Sequence, residues 1–235
     1  MIKKAMILAA GFGKRIHPLT LKHPKPLLKI GNKTLLSNAL KFLELLEIKQ
    51  AVINVHYLGE QIVDYINSNQ FNLTINIVKE KDKILNTGGG VLNAIQYFSN
   101  EPFLIINPDT IWNSHYLKEL KLMEKSFFEN KKSKCSLLVV NKQKSFDQSF
   151  KGDFNLKDNS INRKDRDDLN FIYTGLQIIK PEVFNGISEE VFSINRIWDK
   201  LIQSNELYGM ESNINFLHVT TLDIYKRLLE KYFKH

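Results

Sequence analysis

A short apolar run, residues 5–9, ends abruptly at a glycine loop, and this junction constrains the chain more than any other stretch. The run reads as a buried first strand. Gly11 and Gly13 follow it, then Lys14 and Arg15, then Lys25 framed by Pro24 and Pro26. Closely spaced glycines let the backbone pass near a bulky anion, and their N–H groups can donate to it. The cations Lys14, Arg15 and Lys25 could neutralise a triphosphate, although a bare Gly-x-Gly after a strand also serves simply to turn a chain. The loop is not a Walker loop, because no glycine lies four residues before a Gly-Lys-Ser/Thr, and it lacks the third glycine of the dinucleotide fingerprint. Proline fixes φ and strips donors, so Lys25 is expected on a stiff, extended segment. A stiff cation suits phosphate transfer because it reorganises little as charge builds up.

Beyond this junction the sequence alternates strand-like and helix-like segments, the pattern of an α/β fold with a largely parallel sheet. Thr34 is placed to cap a helix carrying Leu35, Ala39, Leu40, Leu43 and Leu46 at helical spacing. Residues 50–54 read as a second strand, 58–67 as a helix, and 74–78 as a third strand. Residues 88–98 read as a loop opening into a helix, and 102–107 as a buried strand leading to Asp109. Residues 116–129 read as a helix and 136–140 as a strand. Residues 142–168 are polar and are expected to be irregular and partly mobile. Residues 171–179 read as a strand, 194–203 as a helix, 215–219 as a short strand and 222–233 as a closing helix. No linker composition divides the chain. One domain over 1–235 is expected, with a nucleotide-binding core to about 141 and a remainder, about 142–235, over its catalytic face.

The 235 residues are 43% hydrophobic and 25% charged, ordinary for a chain with a sizeable core. No apolar run approaches the roughly 20 residues needed to cross a bilayer. The apolar N-terminal run is too short for a signal h-region, and Cys135, alone of its kind, excludes an internal disulfide framework. A cytoplasmic location without membrane attachment is expected, with Cys135 a buried structural thiol. The net charge is +8, but the lysines are scattered and no aromatic-basic cluster offers a base-stacking platform, so no nucleic-acid partner is expected.

Several further residues could carry chemistry. Asp109 follows an apolar strand, and a carboxylate at a strand's carboxyl end can bind Mg²⁺; an Asn-Pro-Asp turn ending the strand is the plainer alternative. Gly88, Gly89 and Gly90 precede a predicted helix, where bare backbone can pack against a nucleobase and a helix N-terminus adds positive potential. A flexible loop would look the same. Gly152 and Asp153 suit either hydroxyl recognition or a hairpin turn. His56 reads as packed or hydrogen-bonded rather than catalytic.

The segment MILAAGFGKRIHPLTLKHPKPL, residues 6–27, resembles the LAAGxGxRxxPLTxxxPKPL signature of sugar-1-phosphate nucleotidyltransferases. The likeness continues over nearly the whole chain. It is greatest to the short N-acetylmuramate-1-phosphate uridylyltransferases and to mannose-1-phosphate guanylyltransferase-like proteins. It implies a Rossmann-like, three-layer fold with a mixed sheet, of the nucleotide-diphospho-sugar transferase type. It implies that a nucleoside triphosphate, with UTP favoured, is joined to a sugar-1-phosphate with release of pyrophosphate, and that Mg²⁺, or Mn²⁺ in its place, is the cofactor. Arg15, Lys25 and Asp109 take the catalytic positions. Ala9, Ala10, Gly11, Gly13, Lys14, Gly88 and Gly89 take nucleotide-binding positions. Asn107, Asp153, Thr174 and Gly175 take substrate-binding positions. A monomer or homodimer is expected.

The chain departs from the family at three places. Pro108 stands where a glycine usually precedes the aspartate, and Asn86 where a glutamate precedes the glycine run. His218 stands where the family has a second metal-binding aspartate, and Thr220 where it has glycine. Imidazole is a poor Mg²⁺ ligand. Three outcomes follow: Asp109 and phosphate oxygens hold the metal; the metal is softer; or transferase activity is lost while nucleotide binding remains. Rival readings are a cytidylyltransferase for phosphocholine or another phosphorylated alcohol, and a non-catalytic nucleotide-binding protein.

Overall fold

In the computed structural model, residues 1–163 and 168–233 are described. Strand β1 is Lys4–Leu8, and the strip Lys29–Ile30 (β2) and Lys33–Thr34 (β3) forms a separate two-stranded ribbon. Then come α1 Leu35–Leu45, β4 Gln50–Val55, α2 Gly59–Asn67, β5 Thr74–Lys79, α3 Asn86–Asn93, β6 Phe103–Ile106 and α4 Tyr116–Glu129. The second half adds β7 Cys135–Asn141, β8 Asn155–Lys157, β9 Ser160–Asn162, β10 Phe171–Ile179, α5 Asn195–Gln203, β11 Leu207–Ser212 and α6 Leu222–Tyr232.

The large sheet has the order β5-β4-β1-β6-β10-β7-β11-β9-β8. Its first four strands are parallel, whereas β10 runs antiparallel to both β6 and β7. The sheet is therefore mixed, as the family resemblance implied, rather than largely parallel as the alternation alone suggested. Ala5 and Ile7 face one layer, packed with Leu36, Leu40 and Leu43 of α1 and Tyr116, Leu120 and Met123 of α4. Met6 faces the other, packed with Val91 of α3 and Ile197, Trp198 and Leu201 of α5. Burial on both faces explains why β1 reads as an unbroken apolar run. Cys135 is buried, as expected.

Thr34 caps α1 through its hydroxyl, which accepts from Ser37 N at 3.0 Å. Three expectations are corrected. The glycines at 88–90 lie inside α3, not in a loop before it. Residues 215–219 form no strand; Phe216 and His218 make isolated bridges to Ser145 and Thr110. The polar stretch 142–168 carries the hairpin β8–β9, while its residues 164–167 lie outside those described. No helix among the described residues is long and apolar enough to cross a membrane.

Candidate active site

A cavity of about 410 Å³ opens at the carboxyl ends of β1, β4 and β6. Since β1 lies between β4 and β6, the chain reverses its crossover direction here, where open α/β sheets bind ligands. Ala9, Ala10, Gly11, Gly13, Lys14, Arg15 and Lys25 line it from one side, and Asn107, Pro108 and Asp109 from another. Ile84, Asn86 and Thr87 line it from the α3 side.

The loop after β1 runs through three 3-10 turns, Lys14–Ile16, Leu19–Leu21 and Lys25–Leu27. Gly13 has φ +65°, and a Cβ there would fall 2.9 Å from Thr20 Cγ2, so both its conformation and its neighbours require glycine. A Cβ on Gly11 would meet nothing within 4 Å; its open side faces the space a ligand would fill. Lys25 begins a 3-10 turn rather than an extended segment, and its ammonium pairs with Asp109 Oδ2. Arg15 is exposed and makes no ion pair among the described residues, while the Lys14 ammonium lies 5.3 Å from the Phe12 ring centre.

Asp109 is delivered by a braced segment. Asn107 N donates to Gly175 O at 2.7 Å, and Trp112 Nε1 donates to Asn107 O at 2.9 Å. Ile111 N donates to Leu217 O and Val219 N to Asp109 O, which lays residues 217–219 alongside 109–111 and brings His218 to the site. His218 Nε2 lies 3.1 Å from Asp109 Oδ2, and its ring is flanked by Phe150 and Phe216. Burial opposes ionisation of Asp109, but His218 and Lys25 outweigh it and hold the carboxyl far below the usual range.

The donor set fits a divalent cation only in part. Among the described residues no group of three or more His, Cys, Asp or Glu could hold a metal. Asp109 Oδ1 is buried without a hydrogen-bond partner, so one hard oxygen is unused. Mg²⁺ accepts one carboxylate when waters and phosphate oxygens complete its shell. His218 fits that ion poorly: both its ring nitrogens are buried without an aligned partner, and imidazole is the softer donor.

The other predicted residues are placed less directly. Gly88 and Gly89 do not line the cavity. Their N–H groups both donate to Phe192 O, and added Cβ atoms would strike the Phe192 ring and Glu190 O. The first turn of α3 thus spends these donors on the 190–192 segment. Thr174 is buried, its hydroxyl donating to Leu138 O at 2.8 Å. Gly175 sits in a bulge of β10 against Asn107. Asp153 Oδ2 accepts from Tyr173 N at 2.9 Å; burial raises its pKa despite that bond and the nearby Arg163. His56 Nδ1 lies 2.6 Å from Glu80 O, consistent with a hydrogen-bonded role. Sequence reasoning missed Asn54, which lines the cavity, and Asp147, a buried carboxylate that accepts from Thr220 Oγ1 at 2.5 Å. Asn54 sits inside a strand, and Asp147 lies in the polar stretch that has no periodicity.

The nucleotidyl transferase family model matches residues 4–150, and the chain belongs to that family. Its similarity to individual relatives extends further. It is 33% identical over 224 residues to the N-acetylmuramate alpha-1-phosphate uridylyltransferase of Neisseria meningitidis serogroup B, covering 93% of this chain and 94% of the relative. To the enzyme of the same description from Caulobacter vibrioides it is 28% identical over 222 residues, covering 92% and 91%. The crystal structure of HddC from Yersinia pseudotuberculosis shares the fold, with a TM-score of 0.76 at 22% identity, over 98% of this chain and all of that one.

Proposed function

We propose that the protein transfers a uridylyl group from UTP to the phosphate of an amino-sugar 1-phosphate. The observation that carries this reading is the cavity's charge: Lys14, Arg15 and Lys25 line it, against one carboxylate among the described residues, Asp109. An excess of cations at the carboxyl ends of the parallel strands β1, β4 and β6 suits a polyphosphate. The choice of UTP and of an amino-sugar acceptor rests on the two relatives that align over nearly their whole length.

In the reaction an oxygen of the sugar phosphate attacks the α-phosphorus of the triphosphate. A new P–O bond forms, the bond between the α-phosphorus and the bridging oxygen breaks, and pyrophosphate leaves. The chain itself orients the reactants and offsets charge. Arg15 and Lys14, on an exposed turn, meet the leaving pyrophosphate. Lys25 is held by Asp109 and meets the phosphates without reorganising. Asp109 would hold Mg²⁺ through its unpartnered Oδ1, and the ion when bound offsets phosphate charge. Asn107, which lines the cavity, would form the acceptor side, braced by the Gly175 carbonyl to which its N–H donates, whereas Asp153 and Thr174 stand outside the cavity lining; in this reading residues to about 141 bind nucleotide and the later ones serve the sugar phosphate within one domain. Pyrophosphate release from protein, Mg²⁺, UTP and N-acetylated amino-sugar 1-phosphates tests the assignment. Release with no combination of triphosphate and sugar phosphate would refute it.

A further inference from the structure

A buried polar chain ties the two walls of the cavity together. Ala9 N, on the glycine-loop side, donates to Asn54 Oδ1 at 2.9 Å. Asn54 Nδ2 donates to Glu80 Oε1 at 2.7 Å. Glu80 Oε2 accepts from Leu85 N at 2.7 Å, next to the wall residues Ile84, Asn86 and Thr87. Both linking side chains are nearly fully buried, Asn54 at 3% exposure and Glu80 at 4%. The amide orientation of Asn54 is fixed chemically, because the Ala9 N–H needs an acceptor and the Glu80 carboxylate needs a donor. His56 Nδ1, 2.6 Å from Glu80 O, holds the same residue from its backbone. Gly90 leaves room for the pair: a Cβ there would fall 2.7 Å from Asn54 Nδ2 and 2.8 Å from Glu80 Oε1.

A buried carboxylate is costly unless every donor it meets is aligned. Packing alone would be served by apolar side chains at these two positions. Here the chain instead joins the backbone of the phosphate-side loop to the backbone of the opposite wall, through aligned hydrogen bonds at both linking side chains. We propose that Asn54 and Glu80 are positioning residues that set the separation of the two cavity walls and thereby the affinity for the nucleoside triphosphate. This rests on the reading of the cavity as a triphosphate site.

The test exploits the polarity of the network. Asn54→Asp sets two carboxylates face to face, and Glu80→Gln sets two amides or leaves Leu85 N without an acceptor. In the combined variant the new carboxylate still accepts from Ala9 N, the new amide donates to that carboxylate, and its oxygen accepts from Leu85 N. All bonds return with the charge unchanged. Each single change is expected to raise the KM for UTP about tenfold or more. The KM for the sugar phosphate should stay constant, and the combined variant should recover to within about threefold of wild type. Unmoved UTP KM values alongside lowered melting temperatures would reduce the network to a structural role. A combined variant no better than the worse single change would also overturn the proposal.

A second measurement needs no variant. Amide exchange at Ala9 and Leu85 should slow together when UTP is added, and slowing at only one of them contradicts a shared clamp. Calorimetry on the wild type separates the levels. If it binds no triphosphate, the nucleotide reading falls and takes the clamp with it, whereas tight binding with unmoved variants refutes the clamp alone.

Discussion

His218 Nε2 lies 3.1 Å from Asp109 Oδ2, the same oxygen that pairs with the Lys25 ammonium. A nitrogen ring therefore stands against Asp109, the one carboxylate among the described residues of the cavity wall, where the family resemblance implies a second carboxylate. His218→Asp would put two carboxylates side by side, with Lys25 the cation paired there. Without divalent cations this should cost on the order of 3 kcal/mol of stability. Mg²⁺ should then restore the variant's melting temperature far more than it raises that of the wild type. Thermal unfolding across a Mg²⁺ series checks this, and equal responses would show that His218 has no part in metal selection.

Arg15 and Lys25 carry different structural burdens. Arg15 is exposed, so Arg15→Ala should leave the melting temperature unchanged while turnover falls by about 2–4 kcal/mol equivalent. Lys25→Ala should lower turnover comparably and also destabilise the fold, because it strips the half-buried Asp109 of its cation. Steady-state kinetics paired with thermal unfolding separates the two, and near-wild-type turnover in both variants would remove the phosphate assignment.

Gly11, in the loop after β1, and Gly89, in the first turn of α3, separate in the same way. A methyl group on Gly11 meets nothing within 4 Å, so Gly11→Ala should fold normally yet weaken triphosphate binding. A methyl group on Gly89 would fall 1.9 Å from Glu190 O, so Gly89→Ala should lower stability by about 1–3 kcal/mol. Denaturant unfolding and calorimetric titration of both variants check the contrast. Loss of stability without loss of affinity in Gly11→Ala would contradict it.

The central strands and helices were legible because β1, β4 and β6 are buried on both faces and α1 and α4 repeat at helical spacing. The cations of the glycine loop were legible because they sit close together in sequence. The role of the 88–90 glycines was not. Residues 190–192 pack so closely on the first turn of α3 that a side chain at 88 or 89 would clash, a contact across about a hundred residues. Strand β11 was missed because LYGMES has no clean alternation; its pairing with β7 is what orders it. The link between Lys25 and Asp109 joins positions 84 residues apart, which no local pattern records.

Asp147 supplies a prediction in pH. Burial raises its pKa, but Ser149 and Thr220 donate to it and His218 lies near, and together they hold it below the ordinary value. A depressed folded-state pKa contributes stability that is present above the unfolded value, about 3.9, and is lost as pH falls through the folded one. Asp147→Asn should therefore cost about 1–2 kcal/mol near pH 7, and the gap from wild type should narrow below about pH 4. Urea unfolding at several pH values checks the sign, and a gap that widens in acid would contradict it.

The most direct measurement is pyrophosphate release in a matrix of triphosphates against sugar 1-phosphates, run on wild type and Arg15→Ala with Mg²⁺ present. The account predicts release by the wild type that is greatest with UTP and an amino-sugar 1-phosphate, and a fall of about a hundredfold in Arg15→Ala for that same pair. Release that is unaffected by Arg15→Ala, or absent from every combination, would contradict a nucleotidyl transfer centred on this cavity.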